Sequence, residues 1–245
     1  IEAENAHEVL AWALAELVEA YVFDGHGEQA FVAFSRMLRV WDENPELFDE
    51  QDVRNLFWEY KWIASEVCNF PQISRAQVEA FFDDMERRFS LQGLGLSAVM
   101  VSRFNWAHSS GAADAEERRL AWRSTPSDDF EDCPACVIGT QVAFFVDEGR
   151  FDEALALGLT QHSTCSVEPA QTYYAMSMAA AMSGRPADAV TYHRLAVANF
   201  AGKPRELARS RGRSFEVLAR GGQLERALRS LRHEHAELME DAGSP

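Results

Sequence analysis

Three cysteines and one histidine are the residues of this 245-residue chain whose types and spacing point most directly to chemistry. Cys133 and Cys136 stand three positions apart in the segment DCPACVIGTQ, where they open a stretch with the pattern of a helix. Cys165 follows in the next predicted connection, three residues after His162. Thiolate sulfur and imidazole nitrogen are ligands that Zn²⁺ prefers in a tetrahedral site. One hypothesis is therefore a structural zinc site with the ligands Cys133, Cys136, Cys165 and His162.

Two other interpretations of the same cysteines stay open. A Cys-Pro-x-Cys sequence at a helix N-terminus resembles the thioredoxin-type redox motif, in which the helix dipole lowers the thiol pKa. That chemistry usually rests on a βαβ scaffold, and no strand pattern is found near Cys133. Alternatively, small buried cysteines fill gaps where helices meet. Cys68, alone at the end of its predicted helix, is assigned to this packing class.

The sequence contains no motif that indicates an enzymatic activity. The chain contains no nucleophile elbow, no phosphate-binding loop and no dinucleotide-binding glycine motif. We therefore predict no catalytic residues and no organic cofactor, and we classify the protein as a non-enzyme.

The elements that must position these residues are helices. Apolar residues recur at spacings of three and four along most of the chain, whereas runs of period-two alternation are not found. This pattern predicts about twelve helices in about six antiparallel hairpins. Short turns separate the hairpin partners, and the turns GRFDEA (149–154), GRPADA (184–189) and GQLERA (222–227) recur 35 and 38 residues apart. A tetratricopeptide repeat is about 34 residues long. The predicted fold class is all-α, an α-solenoid of the tetratricopeptide-repeat type.

Stacked hairpins also predict where the cysteines lie. The first helices of successive hairpins run parallel to one another in such a stack. Cys133 and Cys136 begin one first helix, and Cys165 comes just before the next one. The three thiols are therefore predicted to lie at the same end of neighbouring helices.

The segment WRSTPSDDFEDCPAC (122–136) resembles tetratricopeptide-like proteins of high-GC bacteria. In that family a tryptophan and a Pro-x-Asp precede Asp-Cys-x-Ala-Cys. The residues of this chain that match are Trp122, Pro126, Asp128, Asp132, Cys133, Ala135 and Cys136.

The resemblance continues through GRFDEALAL (149–157) and Cys165 to the turn GGQLERAL (221–228), so it covers about half of the chain. The family often has Val-Pro-His soon after the third cysteine, where this chain reads SVEPAQ. The resemblance implies a repeat scaffold and no enzymatic activity.

Charge is distributed unevenly along the chain, whose formal net charge is −16. Residues 1–132 carry 26 acidic and 11 basic side chains, whereas residues 185–232 carry 4 acidic and 11 basic ones. We therefore divide the chain into an acidic helical-repeat half (1–125) and a repeat-like C-terminal half (126–245), joined in one continuous solenoid.

The acidic half would repel phosphates, which argues against a nucleic-acid partner. Within the basic segment, a stripe at spacings of four is a candidate docking site for an acidic partner: Arg205, Arg209 and Arg213.

These observations favour a non-enzymatic scaffold that binds a protein or peptide along a helical groove, with aromatic anchors. Trp58, Trp62 and Trp106 are the candidate anchors. The alternative is an acidic inhibitor or immunity-type protein that blocks the active site of a basic partner.

The longest nearly apolar stretch, AMSMAAAM, is too short to span a bilayer, so no membrane partner is expected. With four cysteines and no visible secretory signal, we expect a cytoplasmic protein.

Overall fold

The computed structural model describes residues 7–200 and 208–241, and within these ranges it contains α-helices and two short 3-10 helices but no strand. The prediction of an all-α protein with about twelve helices is confirmed. The contacts divide the chain into two compact units, of which the first ends at Glu131 and the second begins at Asp132.

The first unit contains six α-helices. They are α1 (His7–Phe23), α2 (Gly27–Glu43), α3 (Glu50–Glu66), α4 (Arg75–Gln92), α5 (Leu96–Ser109) and α6 (Ala115–Ser124). Helix α1 packs on α2 and α5 packs on α6, as expected of hairpin partners. Helices α1, α3 and α5 also pack on one another in chain order.

Aromatic rings form much of the core of the first unit. Phe57 and Phe89 stack with their ring centroids 3.8 Å apart, and Phe130 packs on Phe57 at 5.5 Å. Lys61 Nζ donates a hydrogen bond of 2.6 Å to the carbonyl oxygen of Phe130. The segment 126–131 therefore packs on the first unit, although the sequence pattern assigned it to the C-terminal half.

The second unit contains the other six helices. They are α7 (Pro134–Asp147), α8 (Phe151–Gly158), α9 (Ala170–Met182), α10 (Pro186–Phe200), α11 (Ala208–Arg220) and α12 (Leu224–Asp241). Each hairpin pair packs together, and α9 packs on both α7 and α11. This central position explains the apolar stretch AMSMAAAM, whose residues lie mainly on α9 and are mostly buried.

The recurring glycine turns of the second unit have the backbone that their sequence predicts. Gly149 and Gly184 adopt φ angles of 72° and 74°, in the left-handed region that glycine tolerates best. Ala154 and Ala189, each five residues after its glycine, are buried where the second helix of the hairpin begins. Among the helices of the described ranges, none has the length and apolar character needed to cross a membrane.

Candidate functional site

Three thiols of the second unit converge. Cys133 is the N-cap residue of α7, Cys136 lies in the first turn of that helix, and Cys165 lies in the connection between α8 and α9. The three Sγ atoms all lie within 4.8 Å of one another. Three thiolates bound to one Zn²⁺ at 2.3 Å would lie about 3.8 Å apart. The predicted gathering of the thiols is confirmed, and their spacing is close to that of a metal site.

The predicted fourth ligand does not join this thiol cluster. His162 is exposed, and its side chain is not part of the cluster that the described residues form. The preceding residue, Gln161, takes the inward position instead, where its Nε2 donates a hydrogen bond of 2.9 Å to the carbonyl oxygen of Ala135. The structure therefore brings three of the four proposed ligands together.

The thiols of the cluster have unequal acidities. Burial raises the pKa of Cys136, and the neighbouring thiols of Cys133 and Cys165 raise it further. Burial alone would also raise the pKa of Cys165. Hydrogen bonds from the backbone N–H groups of Val167 and Glu168, together with those from the Cys136 and Cys133 thiols, outweigh burial, so the pKa of Cys165 is lowered. Hydrogen bonds of this kind both favour a thiolate and orient it toward a metal ion.

A buried polar network holds the connection that carries Cys165 against α7. The Glu168 carboxylate is buried, and it accepts hydrogen bonds from the backbone N–H of Thr172 at 3.0 Å and from Thr172 Oγ1 at 2.8 Å. Gln161 Nε2 lies 3.2 Å from the same Thr172 hydroxyl while it donates to Ala135, the residue before Cys136. Neither Glu168 nor Gln161 was a sequence candidate. A glutamate two residues before the start of a helix, within reach of the helix's first backbone N–H groups, is the sequence signal that could have identified Glu168.

Gly139, one turn after Cys136 on α7, makes room for this network. A Cβ atom at position 139 would lie 1.9 Å from Glu168 Oε1 and 3.0 Å from Thr172 Oγ1. Any side chain there would push the carboxylate away, so the absence of a side chain at Gly139 helps to set the position of Cys165.

The first unit carries a groove of about 800 Å³ between α1, α2, the connection that follows α2, and α3. Three indoles line it, together with four carboxylates, and no lysine, arginine or histidine is found among the lining residues that the structure describes. The indoles are those of Trp12, Trp58 and Trp62, and the carboxylates are those of Glu16, Glu19, Asp52 and Glu59.

Two of the three tryptophans predicted as anchors line this groove. Trp106, the third, is buried in the core of the first unit, where the guanidinium groups of Arg75 and Arg118 lie 5.2 and 5.7 Å from its ring. Trp12 was not a sequence candidate, although it is 65% exposed. A large aromatic residue off the apolar stripe of α1 is the signal that could have identified it.

Glu59 is the most unusual carboxylate of the groove. It is only 5% exposed, and its Oε2 atom has no hydrogen-bond partner among the residues that the structure describes. Burial, with a smaller contribution from the negative charges of Glu19 and Glu16, raises the pKa of Glu59 to about 8. Glu59, which has no distinguishing pattern in the sequence, is therefore mostly protonated at neutral pH.

Comparison with protein-family models, with curated proteins and with solved structures finds no match to this chain. The assignment of both sites therefore rests on their geometry and chemistry alone. Membership in a tetratricopeptide-like family stays a prediction.

The predicted arginine stripe is described only in part. Arg205 lies outside the described residues, and so does the side chain of Arg209. The side chain of Arg213 is 15% exposed, and its Nη2 lies 3.7 Å from Asp147 Oδ2 on α7. Arg213 thus takes part in an ion pair within the second unit, and the docking role of the stripe stays a prediction.

Proposed function

We propose that this protein is a non-enzymatic scaffold, an α-solenoid of tetratricopeptide-like hairpins, that binds a protein or peptide partner in the groove of its first unit. The observation that carries this proposal is the groove itself, with its indoles and about 800 Å³ of space. The packing of α1 on α3 and of α3 on α5 supports the solenoid arrangement, because stacked hairpins bury one helix of each on the next.

The lining of the groove suits a peptide segment. Binding pockets for small ligands usually enclose most of the ligand surface and measure about 300–1,000 Å³. Here, however, Trp12 and Val9 on α1 line the groove and remain largely exposed. Exposed tryptophans are frequent anchors of protein interfaces, since one indole buries a large apolar area on binding. A chain segment that lies along the groove would cover these side chains.

The test is selection of peptides from a displayed random library on the intact protein. We expect the Trp12→Ala and Trp62→Ala variants to bind the selected peptides at least about tenfold more weakly than the original protein, as anchor residues do. The matched control is Leu91→Ala, because Leu91 is a strongly exposed apolar residue that does not line the groove. If all three variants bind the peptides as well as the original protein does, the proposal is wrong.

The same groove supports a second candidate function, an inhibitor or immunity-type protein that blocks a basic active site. The acidic lining of the groove favours this candidate, because a surface of one charge attracts and orients an oppositely charged partner. Affinity purification from the native host separates the two functions. One tight, stoichiometric enzyme with a basic face supports the inhibitor, whereas several weakly bound peptides support the scaffold.

We also propose that the thiol cluster holds a structural Zn²⁺ ion. Cys133, Cys136 and Cys165 would supply three thiolates, and the ion would pin the connection before α9 to the first turn of α7. The spacing of the sulfur atoms and the hydrogen bonds to Cys165 support this proposal. None of the three cysteines forms a disulfide, which suits a reducing compartment, and we propose a cytoplasmic location on that ground.

A further inference from the structure

We infer that the groove of the first unit selects a partner segment with an arginine side chain, and that Glu59 is the carboxylate that receives the guanidinium group. This inference rests on the proposed function and specifies the chemistry of the partner. It is carried by the charge of the groove, by the unpartnered oxygen of Glu59 and by the indoles beside it.

The charge of the groove is unbalanced within the protein itself. Four carboxylates line it, and no basic side chain stands among its described lining residues. Elsewhere in the first unit, several carboxylates are neutralised at close range. Arg88 contacts Asp42 and Asp84, and Arg103 contacts carboxylates of α4. Like charges placed together are unfavourable, so the groove is complementary to a cation that its described lining residues do not supply.

The unpartnered oxygen of Glu59 indicates more specifically which kind of ligand the groove binds. A buried polar atom without a hydrogen bond costs free energy, and in most proteins such atoms find a partner. Glu59 Oε2 has none among the described residues, and the residue lines a cavity rather than a closed core. A donor that enters the groove can therefore complete its hydrogen bonding. A guanidinium group offers two parallel N–H donors, which match a carboxylate.

The indoles explain why arginine suits this site better than other donors. On α3, Trp58 directly precedes Glu59 and Trp62 follows it by three residues. Both indoles line the groove. A guanidinium group is planar and stacks on aromatic rings, in addition to its ionic contacts. The first unit already contains one guanidinium–indole contact, with Arg88 5.1 Å from the ring centroid of Trp41. The ammonium group of Lys61 lies 4.5 Å from the ring centroid of Trp58, so an indole of the groove already pairs with a cation.

Binding should be linked to pH. The other charged groups that face the groove are Glu16 and Glu19 from α1 and Asp52 from α3, while α2 and its following connection contribute apolar side chains only. With a pKa of about 8, Glu59 is mostly protonated at neutral pH before a cation arrives. An arginine keeps its charge throughout this range, and its arrival favours the ionised carboxylate. The affinity should therefore rise as the pH increases toward 8, with release of a proton from Glu59.

The experiment uses the peptides selected on the intact protein and a twin of each in which citrulline replaces arginine. Citrulline has the shape of arginine without its charge. We expect arginine to be enriched among the peptides whose binding depends on Trp12, and we expect the citrulline twins to bind at least about tenfold more weakly. The Glu59→Gln variant should discriminate much less between the twins, because only the weaker attraction of Glu16, Glu19 and Asp52 remains, and it should lose the pH dependence between pH 6 and pH 8.5. Glu117→Gln, which removes one exposed carboxylate of α6 outside the groove, should behave like the original protein.

Each remaining outcome contradicts a defined part of the account. If groove-dependent peptides carry no arginine, or if citrulline twins bind equally well, the inference is wrong while the scaffold function stands. If no peptide depends on the groove residues, the proposed function fails and the inference fails with it. If n-butylguanidinium alone binds as tightly as the arginine peptides, the ligand is a small cation and the assignment to a partner segment is wrong.

Discussion

The Sγ atoms of Cys136 and Cys165 lie 3.6 Å apart, although the whole of α8 separates the two residues along the chain. This distance is too long for a disulfide, whose sulfur atoms are about 2.05 Å apart, and it is close to the spacing of two thiolates on one metal ion. The contact exists because the connection after α8 returns to the first turn of α7, where Cys136 and Cys133 begin the helix.

Protein purified without added zinc should contain about one zinc ion per chain. Elemental analysis and titration of reactive thiols measure this directly. The Cys136→Ser variant should lose the metal, because removal of one of three thiolates leaves too few ligands. Cys68→Ser is the control, since Cys68 belongs to the first unit, and it should keep the metal. Metal-free protein with reactive thiols at all three positions of the cluster would rule out the zinc proposal.

The Gly139→Ala variant should disturb the thiol cluster without touching a cysteine. The added Cβ atom would clash with Glu168 Oε1, so the buried network and the connection that carries Cys165 must shift. We expect a loss of about 1–3 kcal/mol in the stability of the second unit and weaker metal binding.

Gly212→Ala is the matched control for this prediction. Gly212 also lies within a helix, and a Cβ atom there meets nothing within 4 Å. This variant should gain up to about 1 kcal/mol from helix propensity and should bind metal as before. Thermal unfolding followed by circular dichroism and the rate of thiol labelling measure both effects. Equal behaviour of the two variants would contradict the role assigned to Gly139.

Glu59 should make the first unit less stable as the pH rises. Its pKa in the folded protein is about 8, against an ordinary value of 4.5, so between these values the folded state holds a proton that the unfolded state has released. Stability therefore falls by up to roughly 1.4 kcal/mol per pH unit between pH 4.5 and pH 8, and this contribution does not change further above pH 8.

The Glu59→Gln variant should lack this contribution and should exceed the original protein in stability by a margin that grows from pH 5 to pH 8. Urea unfolding followed by tryptophan fluorescence is the measurement. All six tryptophans of the chain lie before residue 123, so the signal reports the first unit. A margin that stays constant with pH would show that Glu59 is ionised in the folded protein.

Arg88 and Arg87 should differ sharply in their contribution to stability, although both contact Asp84. The side chain of Arg88 is 8% exposed and also contacts Asp42, whereas that of Arg87 is 56% exposed. The carboxylates of Asp42 and Asp84 are 55% and 34% exposed, so loss of Arg88 should cost about 1.5–3 kcal/mol, as hydrogen bonds to charged groups do, whereas loss of an exposed pair costs about 1 kcal/mol or less. Arg88→Ala should therefore strongly destabilise the first unit, and Arg87→Ala should not. Equal losses in urea unfolding would contradict this difference.

Local patterns in the sequence were sufficient for the helices and their turns. The period of apolar residues predicted an all-α chain, and the recurring Gly149 and Gly184 predicted the positions of short turns, where the structure has a left-handed backbone. The order of the cysteines relative to predicted helices also led to the correct prediction that the thiols meet. The helices and turns depend on residues close together in the chain, whose backbone preferences act before any tertiary contact forms. The meeting of the thiols could be predicted because stacked hairpins place the starts of successive first helices at the same end.

Tertiary structure alone decided which side chains face a site. His162 and Gln161 are neighbours in one loop, yet the amide is buried beside the thiol cluster and the imidazole is exposed. Trp106 is buried in the core while Trp12 lines the groove, and neither outcome follows from the residue type. The acidity of Glu59 likewise depends on burial and on charges from another helix. The sequence by itself determined the helices, because helical periodicity is local, whereas burial and pKa arise from packing between distant segments.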